Sequence, residues 1–592
     1  MDFSSLVEVF EKLEATTKRL ELTDYLSKLF AEAKPLEIKH MIYLCQGILA
    51  PAHAGVEVGM AEKLTEQSIA ISSGKTIAEI EKVYHKTGDL GNTAEALMGA
   101  KVQRTLAKEK LTVGKVYDNF YKIATSSGAG SQDAKIKLLA ELLSKAEPKE
   151  AKALTRFIVG ELRLGVGDAT IIDALSYVKT GDKSLRVDLE RAYNLTSDLG
   201  FIAELLYKDG IEAVRGIKPQ VFYPIRPALA ERLPSAKEIV EKLGECAAEG
   251  KYDGLRLQVH KKGDKVEIYS RRQERITAMF PDVAKAANKQ LSVKEGIFEG
   301  EAVGYDETTD VYLSFQETIT RKRKHGVEAK IEEIPIRVFL FEVLYADKKD
   351  YTREPYKERV AALKKILHSG DVMALAKRQL VKTGEELEAF FNECVSSGLE
   401  GIIAKDLNAP YVAGARKFAW IKLKRSYRGA LTDTVDGVIV GYLRGLGKRA
   451  EFGIGALLCA VYDDRERRFK TIAKVGSGLT EKQMSEFKEM LDKIRVQEQP
   501  RNVEALLKPD VWVQPKYVIT INADEITQSP IHTCAREKGQ GLALRFPRLV
   551  ELRTDKGPTE ATTEKEVVRM FGMQKHAAVQ RTPEAEAALK EG

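Results

Sequence analysis

Lys251-Tyr252-Asp253-Gly254-Leu255-Arg256 is the stretch from which the rest of the chain can be read. It sets a lysine beside an acid, a turn glycine and an arginine. A lysine amine with its reference pKa of about 10.4 is almost wholly protonated at neutral pH, so a nucleophilic role requires something to lower that value. A positive neighbour such as Arg256, or a bound cation, would disfavour the ammonium form. Gly254 would let the backbone approach a ligand with no side chain in the way. The same six residues also fit an Asp-Gly surface turn between two strands, with the lysine and arginine in solvent.

Working outward, the residues that follow alternate. Leu255, Leu257 and Val259 fall on one strand face and Arg256, Gln258 and His260 on the other, which predicts that Arg256 points away from the core. Val266–Arg271 reads as a second strand ending on Arg271, where a strand meets a loop. In Ile297–Val303 the acids Glu299 and Glu301 share a face by the same period of two, in reach of a hard cation or a sugar hydroxyl. Ile336–Val343 is apolar enough to be buried and carries Phe341 and Glu342. Glu400–Lys405 and Arg416–Lys424 complete the set, with Lys422 and Lys424 side by side on one face, an arrangement that calls for an anion. The run Arg321–His325 is a basic patch, read either as a solvated face or as a neutraliser of phosphates.

Further out the patterning changes on both sides. From the start to about Gly216 apolar residues recur at spacings of three and four, as in Leu6, Phe10 and Leu13, then Tyr25, Leu26, Leu29 and Phe30, which predicts helices. Within them Gly165 and Gly167 precede Asp168, predicted to cap the next helix. Such a turn offers free backbone N–H groups to a phosphate and equally fits a plain interhelix turn. Prolines 219, 224, 227 and 234 mark a boundary near residue 217. From about Leu431 short strands with glycine turns suggest a small barrel, with a basic loop at Arg444, Lys448 and Arg449 and a basic segment at Arg545 and Arg548. The tail from Thr559 reads as helix, then as disordered beyond about Lys575.

Composition bounds these readings. A length of 592 residues predicts roughly three to five domains. The net charge of +7 permits a polyanionic partner without requiring one. Five scattered cysteines, without metal-type pairing, point to a reducing compartment, and neither a signal peptide nor a membrane span is visible.

The order of these segments resembles that of the covalent nucleotidyltransferases, and among them the ATP-dependent DNA ligases, most closely the replicative ligases of archaea and eukaryotes. The resemblance covers nearly the whole chain. It implies a multidomain fold: an all-α DNA-binding domain over 1–217, an α+β adenylation domain over 218–427, a β-barrel OB-fold over 428–575 and a tail over 576–592. It implies catalysis by Lys251, which takes up AMP from ATP and passes it to the 5′-phosphate of a nick. By the same resemblance Glu249 reads the adenine amino group, Arg256 and Glu301 hold the ribose and Phe341 stacks on the base. Arg271 and Arg416 contact phosphate or DNA, Lys422 offsets phosphate charge, and Glu301 and Glu400 hold Mg2+ or Mn2+. Lys424, Arg444, Lys448, Arg449, Arg545, Arg548, Gly165 and Gly167 are assigned to DNA or to orienting the triphosphate. The expected partner is nicked duplex DNA, with the enzyme a cytoplasmic monomer serving replication, repair and recombination. A sliding-clamp peptide is expected near Gln103-Arg104-Thr105-Leu106, where its usual aromatics are missing. RNA ligases and capping-type enzymes share the lysine motif but do not account for the helical N-terminal third. A non-catalytic OB-fold binder would have lost the catalytic residues that are present here.

Overall fold

The computed structural model describes residues 1–100, 110–306, 311–313, 318–323, 326–368, 370–424, 434–445, 452–523 and 525–579. It divides into two compact units: Met1–Leu233 with Lys237–Leu387 and Ile403–Lys422, and Pro234–Ala236 with Glu388–Ile402 and the chain from Leu423 onward.

The first unit begins with helices from Phe3–Glu14 to Leu199–Arg215. Their apolar stripes close on one core, in which Leu6, Phe10, Leu13, Leu26, Leu29 and Phe30 are all buried. Each such side chain contributes about 1.5–3 kcal/mol through removal from water, which is why the spacing alone revealed these helices.

Strands follow: β1 (Leu229–Arg232), β2 (Cys246–Lys251), β3 (Leu255–Lys262), β4 (Lys265–Ser270), β5 (Glu295–Asp306), β6 (Val311–Tyr312), β7 (Ile336–Ala346), β8 (Lys349–Asp350), β9 (Met373–Leu375), β10 (Arg378–Val381), β11 (Gly401–Asp406) and β12 (Arg416–Lys424). They form two sheets, one ordered β1-β12-β11-β2-β10, the other β4-β3-β5-β7-β8 with β6 and β9 attached to β5 and β7. Consecutive strands β2 and β3 therefore lie in different sheets. Residues 252–254 are the crossing between them, so the lysine motif is the corner of the fold.

In the second unit β13 (Val435–Leu443), β14 (Ala456–Asp463), β15 (Arg468–Val475), β16 (Arg495–Val496), β17 (Val503–Glu504), β18 (Val511–Val513), β19 (Val518–Asn522) and β22 (Arg548–Arg553) make one sheet, while β20 (Glu525–Ser529) pairs with β21 (Gly541–Arg545). Strand β13 is central: it pairs with β14 on one side and with both β18 and β19 on the other, bulging between Ile439 and Gly441. The last helix runs Glu564–Val579, past Lys575, where the sequence pattern predicted order to end.

All five cysteines are buried and unbridged. Among the described residues no helix is long and apolar enough to cross a membrane.

Candidate functional site

Lys251 is the half-buried last residue of β2, and the backbone on either side of it is fixed. Before it, the Gly250 N–H donates to the Lys377 carbonyl at 2.9 Å. After it, Tyr252 is buried and stacks on Phe339 with ring centroids 4.0 Å apart and planes 7° from parallel. Its hydroxyl accepts from the Lys377 N–H at 3.2 Å. Gly254 is required by the fold itself: a Cβ there would lie 2.2 Å from the Ala302 carbonyl oxygen. The close approach is to strand β5 itself.

Strand β3 pairs antiparallel with β5, with Arg256 opposite Glu301 and Gln258 opposite Glu299, so these four side chains share one face. As expected, that face turns away from the core that holds Leu257 and Val259, but it is not open to solvent: Gln258, His260 and Glu299 are buried and Arg256 and Glu301 half-buried. Gln258 and His260 are covered by the segment that follows the N-terminal helices. The Phe222 N–H donates to His260 Nδ1 at 2.9 Å, and Gln258 exchanges hydrogen bonds with the Ile225 backbone at 2.8 and 2.9 Å. Buried and uncharged, His260 has its pKa pushed down to about 3 by desolvation. Arg256 donates to Glu299 at 2.8 Å and to the Ala228 carbonyl at 2.9 Å. Burial opposes its charge, but Glu299 outweighs that, and its pKa is raised. Its Nε is buried without a partner among the described residues, a donor still to be satisfied. Glu299, completing this group, also accepts from the Tyr411 hydroxyl at 2.7 Å. Glu301 is half-buried.

Aromatic rings form the next wall. Phe341 is half-buried and meets Trp420 edge to face at 6.1 Å, and Trp420 meets Tyr411 in the same way at 5.8 Å. Beneath them lies a charge cluster that the sequence motifs did not reveal. The Lys405 ammonium, fully buried, sits 4.1 Å from the Trp420 centroid and 4.8 Å from that of Phe341. It pairs with Glu249 at 2.6 Å and Glu342 at 3.3 Å. Glu342 is held in turn by both arms of Arg359, at 2.7 and 3.1 Å. Burial would raise its pKa, yet Arg359 and Lys405 bring it below the ordinary value. Glu249 also accepts from Arg378 at 2.7 and 3.1 Å and from the Tyr356 hydroxyl. Arg359, Arg378 and Tyr356 belong to no sequence motif, and no local signal points to them. Lys405 and Trp420 stand within Glu400–Lys405 and Arg416–Lys424, where only their position in the fold gives them a role.

The remaining predicted residues are distributed as follows. Arg271 lies exposed one residue past β4, and it lines one small crevice together with Arg256, Glu299 and Gln258. Lys422 is half-buried on β12, in register with Arg232 of β1, and Arg416 heads that strand opposite Leu229. Lys424 has its anion already, Glu400, with which it forms an ion pair. Of the basic run, Arg321 is buried against Asp282 at 2.6 Å and is structural, whereas Lys322, paired with Glu274, and Arg323 are exposed; Lys324 and His325 lie outside the described residues. Gly165 has φ +68°, and both it and Gly167 have open space where a Cβ would stand. Gly167, not Asp168, is the N-cap of helix Asp168–Thr180. The Asp168 carboxylate is drawn away to Tyr193 at 2.7 Å, Gln46 at 2.9 Å and Arg226 at 3.2 Å, and three donors outcompete one capping bond. In the second unit Arg444 is exposed at the end of β13, Arg545 pairs with Glu525, and Arg548 is exposed at the start of β22. Lys448, Arg449 and Gln103 lie outside the described residues.

A lysine whose backbone is locked at a corner between two sheets, flanked by a buried arginine–acid face and an aromatic wall, is the arrangement of a covalent nucleotidyltransferase, and that is the class to which this fold and site point. Within it the chain belongs to the ATP-dependent DNA ligase family. The family's "DNA ligase N terminus" matches residues 2–176, its "ATP dependent DNA ligase domain" residues 227–424 and its "ATP dependent DNA ligase C terminal region" residues 450–556. The chain is 48% identical to the "Probable DNA ligase" of Dictyoglomus turgidum, over 98% of this chain and 99% of that one. It is 44% identical to "DNA ligase 2" of Thermofilum pendens, again over 98% and 99%. The solved structure titled "Pmar-Lig_Pre." aligns over 93% of this chain and 99% of its own, with a TM-score of 0.55 at 15% identity, a likeness of fold.

Proposed function

We propose that this enzyme seals nicks in duplex DNA, with Lys251 as the residue that carries AMP. The supporting observation is the pinned corner: Tyr252 on Phe339 and Gly254 against Ala302 fix the lysine's backbone beside the strand that carries Glu301. Holding a nucleophile in place ahead of reaction removes much of the entropic barrier to attack.

In the first step the lone pair of the unprotonated Lys251 Nζ attacks the α-phosphorus of ATP. An N–P bond forms, the P–O bond to pyrophosphate breaks, and the amine loses its proton. Arg256 and Glu301 hold the ribose, the unsatisfied Arg256 Nε being a donor available to it. Phe341 stacks on the base, Glu249 accepts from the adenine amino group, Arg271 and Arg416 bind phosphate, and Lys422 faces the charge that grows as pyrophosphate leaves. AMP then passes from Lys251 to the 5′-phosphate at the nick. The 3′-hydroxyl attacks that phosphate, the phosphodiester forms and AMP departs. Among the described residues no group of three or more acids, histidines or cysteines could hold a metal by itself. Glu301 and Glu400 would hold Mg2+, or Mn2+ in its place, which when bound offsets phosphate charge.

On this reading residues 1–217 are an all-α DNA-binding domain that uses Gly165 and Gly167 at the phosphate backbone, 218–427 the adenylation domain, and 428–575 an OB-fold. Arg444, Lys448, Arg449, Arg545 and Arg548 of that barrel, with Lys424, serve DNA or the triphosphate. The enzyme acts as a cytoplasmic monomer in replication, repair and recombination. A clamp contact at Gln103 would be weak for want of aromatic anchors. Incubation with ATP labelled at the α-phosphate, followed by denaturation and peptide mapping, tests the central claim. Label should sit on Lys251 and be absent from Lys251→Ala, whereas label that survives in that variant refutes the assignment.

A further inference from the structure

We propose that Tyr356, Arg378 and Lys405 form a clamp that positions the Glu249 carboxylate, so that these three residues set the selectivity for a 6-amino purine. The inference rests on the reading of Glu249 as the base-recognising acid. It goes beyond that reading by naming what makes the acid selective.

A carboxylate distinguishes an amino group from a carbonyl or a bare carbon only if it stays ionised, and hence acceptor-only, and if its oxygens do not rotate. Side chains distant in sequence, all of them donors, hold both Glu249 oxygens as acceptors and against rotation. Glu249 is 2% exposed. Its Oε1 accepts from Arg378 Nε at 3.1 Å, Arg378 Nη2 at 2.7 Å and the Tyr356 hydroxyl. That oxygen has no capacity left. Its Oε2 accepts from Lys405 at 2.6 Å and, among the described residues, from no other group, which leaves a lone pair for a ligand's N–H. Burial and the adjacent Glu249 charge keep Tyr356 protonated, and therefore a donor.

The clamp is itself anchored. Strand pairing sets Arg378 directly opposite Glu249. Lys405 lies beneath the aromatic wall, and the same ammonium that grips Glu249 Oε2 lies 4.8 Å from the centre of the Phe341 ring and 5.0 Å from that of Tyr356. Base stacking and edge reading would thus be registered to each other through one cation. Arg359 and Glu342 complete the charge balance around Lys405, and the 3.3 Å pair with Glu342 gives the ammonium a second anchor besides Glu249.

The test compares charging by ATP with charging by purine riboside 5′-triphosphate, which lacks the 6-amino group, in the full-length protein and in Tyr356→Phe and Arg378→Gln. Tyr356→Phe deletes one hydroxyl and Arg378 is partly exposed, so neither empties the core; if Arg378→Gln fails to fold, Tyr356→Phe decides. The parent should prefer ATP by about tenfold or more, as expected for a hydrogen bond to a charged group. In each variant that preference should shrink by about three- to tenfold, through KM for ATP with kcat held. A merely structural residue would lower both nucleotides together. An unchanged ratio in both variants, against a clear preference in the parent, overturns the clamp while leaving Glu249 as the base reader. A parent with no preference overturns both.

Discussion

Replacing Gly254 with alanine tests whether the corner beside Lys251 is tuned to the limit of packing. A methyl group there would lie 2.2 Å from the Ala302 oxygen, 2.9 Å from its carbonyl carbon and 3.0 Å from Val303 Cγ2, where real Cβ contacts stop near 3.0 Å. The first two are backbone atoms, so no flexible tip can yield. Strand β5 is held by β3 on one side and β7 on the other. Residues 252–254 are held by the Tyr252–Phe339 stack. Relief therefore demands a backbone shift of nearly 1 Å in either the lysine turn or the strand carrying Glu301. A misplacement of about 1 Å costs on the order of 100-fold in rate. Overpacking of this kind also costs about 1–3 kcal/mol of stability, a fall in Tm of several degrees. The assay is the rate at which α-labelled ATP yields label stable to denaturation, with a thermal melt alongside. Gly114→Ala is the control, since Gly114 lies in helix Val113–Thr125 with open space around the added carbon. It should charge normally and gain up to about 1 kcal/mol. A folded Gly254→Ala protein that charges within threefold of the parent would refute the reasoning.

Other outcomes follow from the same geometry. ATP should charge the enzyme and GTP should not, because guanine presents a carbonyl where Glu249 needs a donor; equal labelling, read on the same gel, would favour a capping-type enzyme. A protein beginning at Lys218 should still take up label within about tenfold of the parent but bind nicked DNA weakly, with a salt slope lower by about 0.9 for each phosphate that it no longer neutralises. It should also melt lower, because Leu195 packs in the same buried cluster as Trp420 and Tyr411, and Asn194 donates to the Ala413 carbonyl at 2.9 Å. His260 is neutral in the fold with its pKa pushed down to about 3, so the unfolded chain binds the extra proton between that value and about 6.5. Stability is then fully present above about pH 6.5 and falls by roughly 1.4 kcal/mol per unit as pH drops towards 3; urea midpoints across this range should show a shallower slope in His260→Asn.

What could be read from the sequence and what could not divides along a physical line. Strand alternation and helix spacing record burial against neighbours close in the chain, so Leu6 to Phe30 and the faces of β3 followed directly from the pattern. The lysine turn was legible because its residue types are unusual together, although the close packing of Gly254 against β5 was not. Alternation says which residues share a face, not what covers it. Gln258 and His260 were placed on one face with Arg256, but the backbone of Phe222 and Ile225 that seals them arrives from a segment read only as a domain boundary. Charge partners are less legible still. Arg359 and Arg378 have no local pattern, since a buried ion pair depends on a meeting of strands and helices far apart in sequence. Arg321 stands in a basic run that reads as surface, yet it is among the most buried side chains because Asp282 is there to receive it. A buried charge is tolerated only where a partner compensates its desolvation. The cluster around Lys405 therefore carries information that motif spacing lacks: its charges sit where the fold, rather than the local sequence, could stabilise them, beside the residues to which nucleotide recognition is assigned.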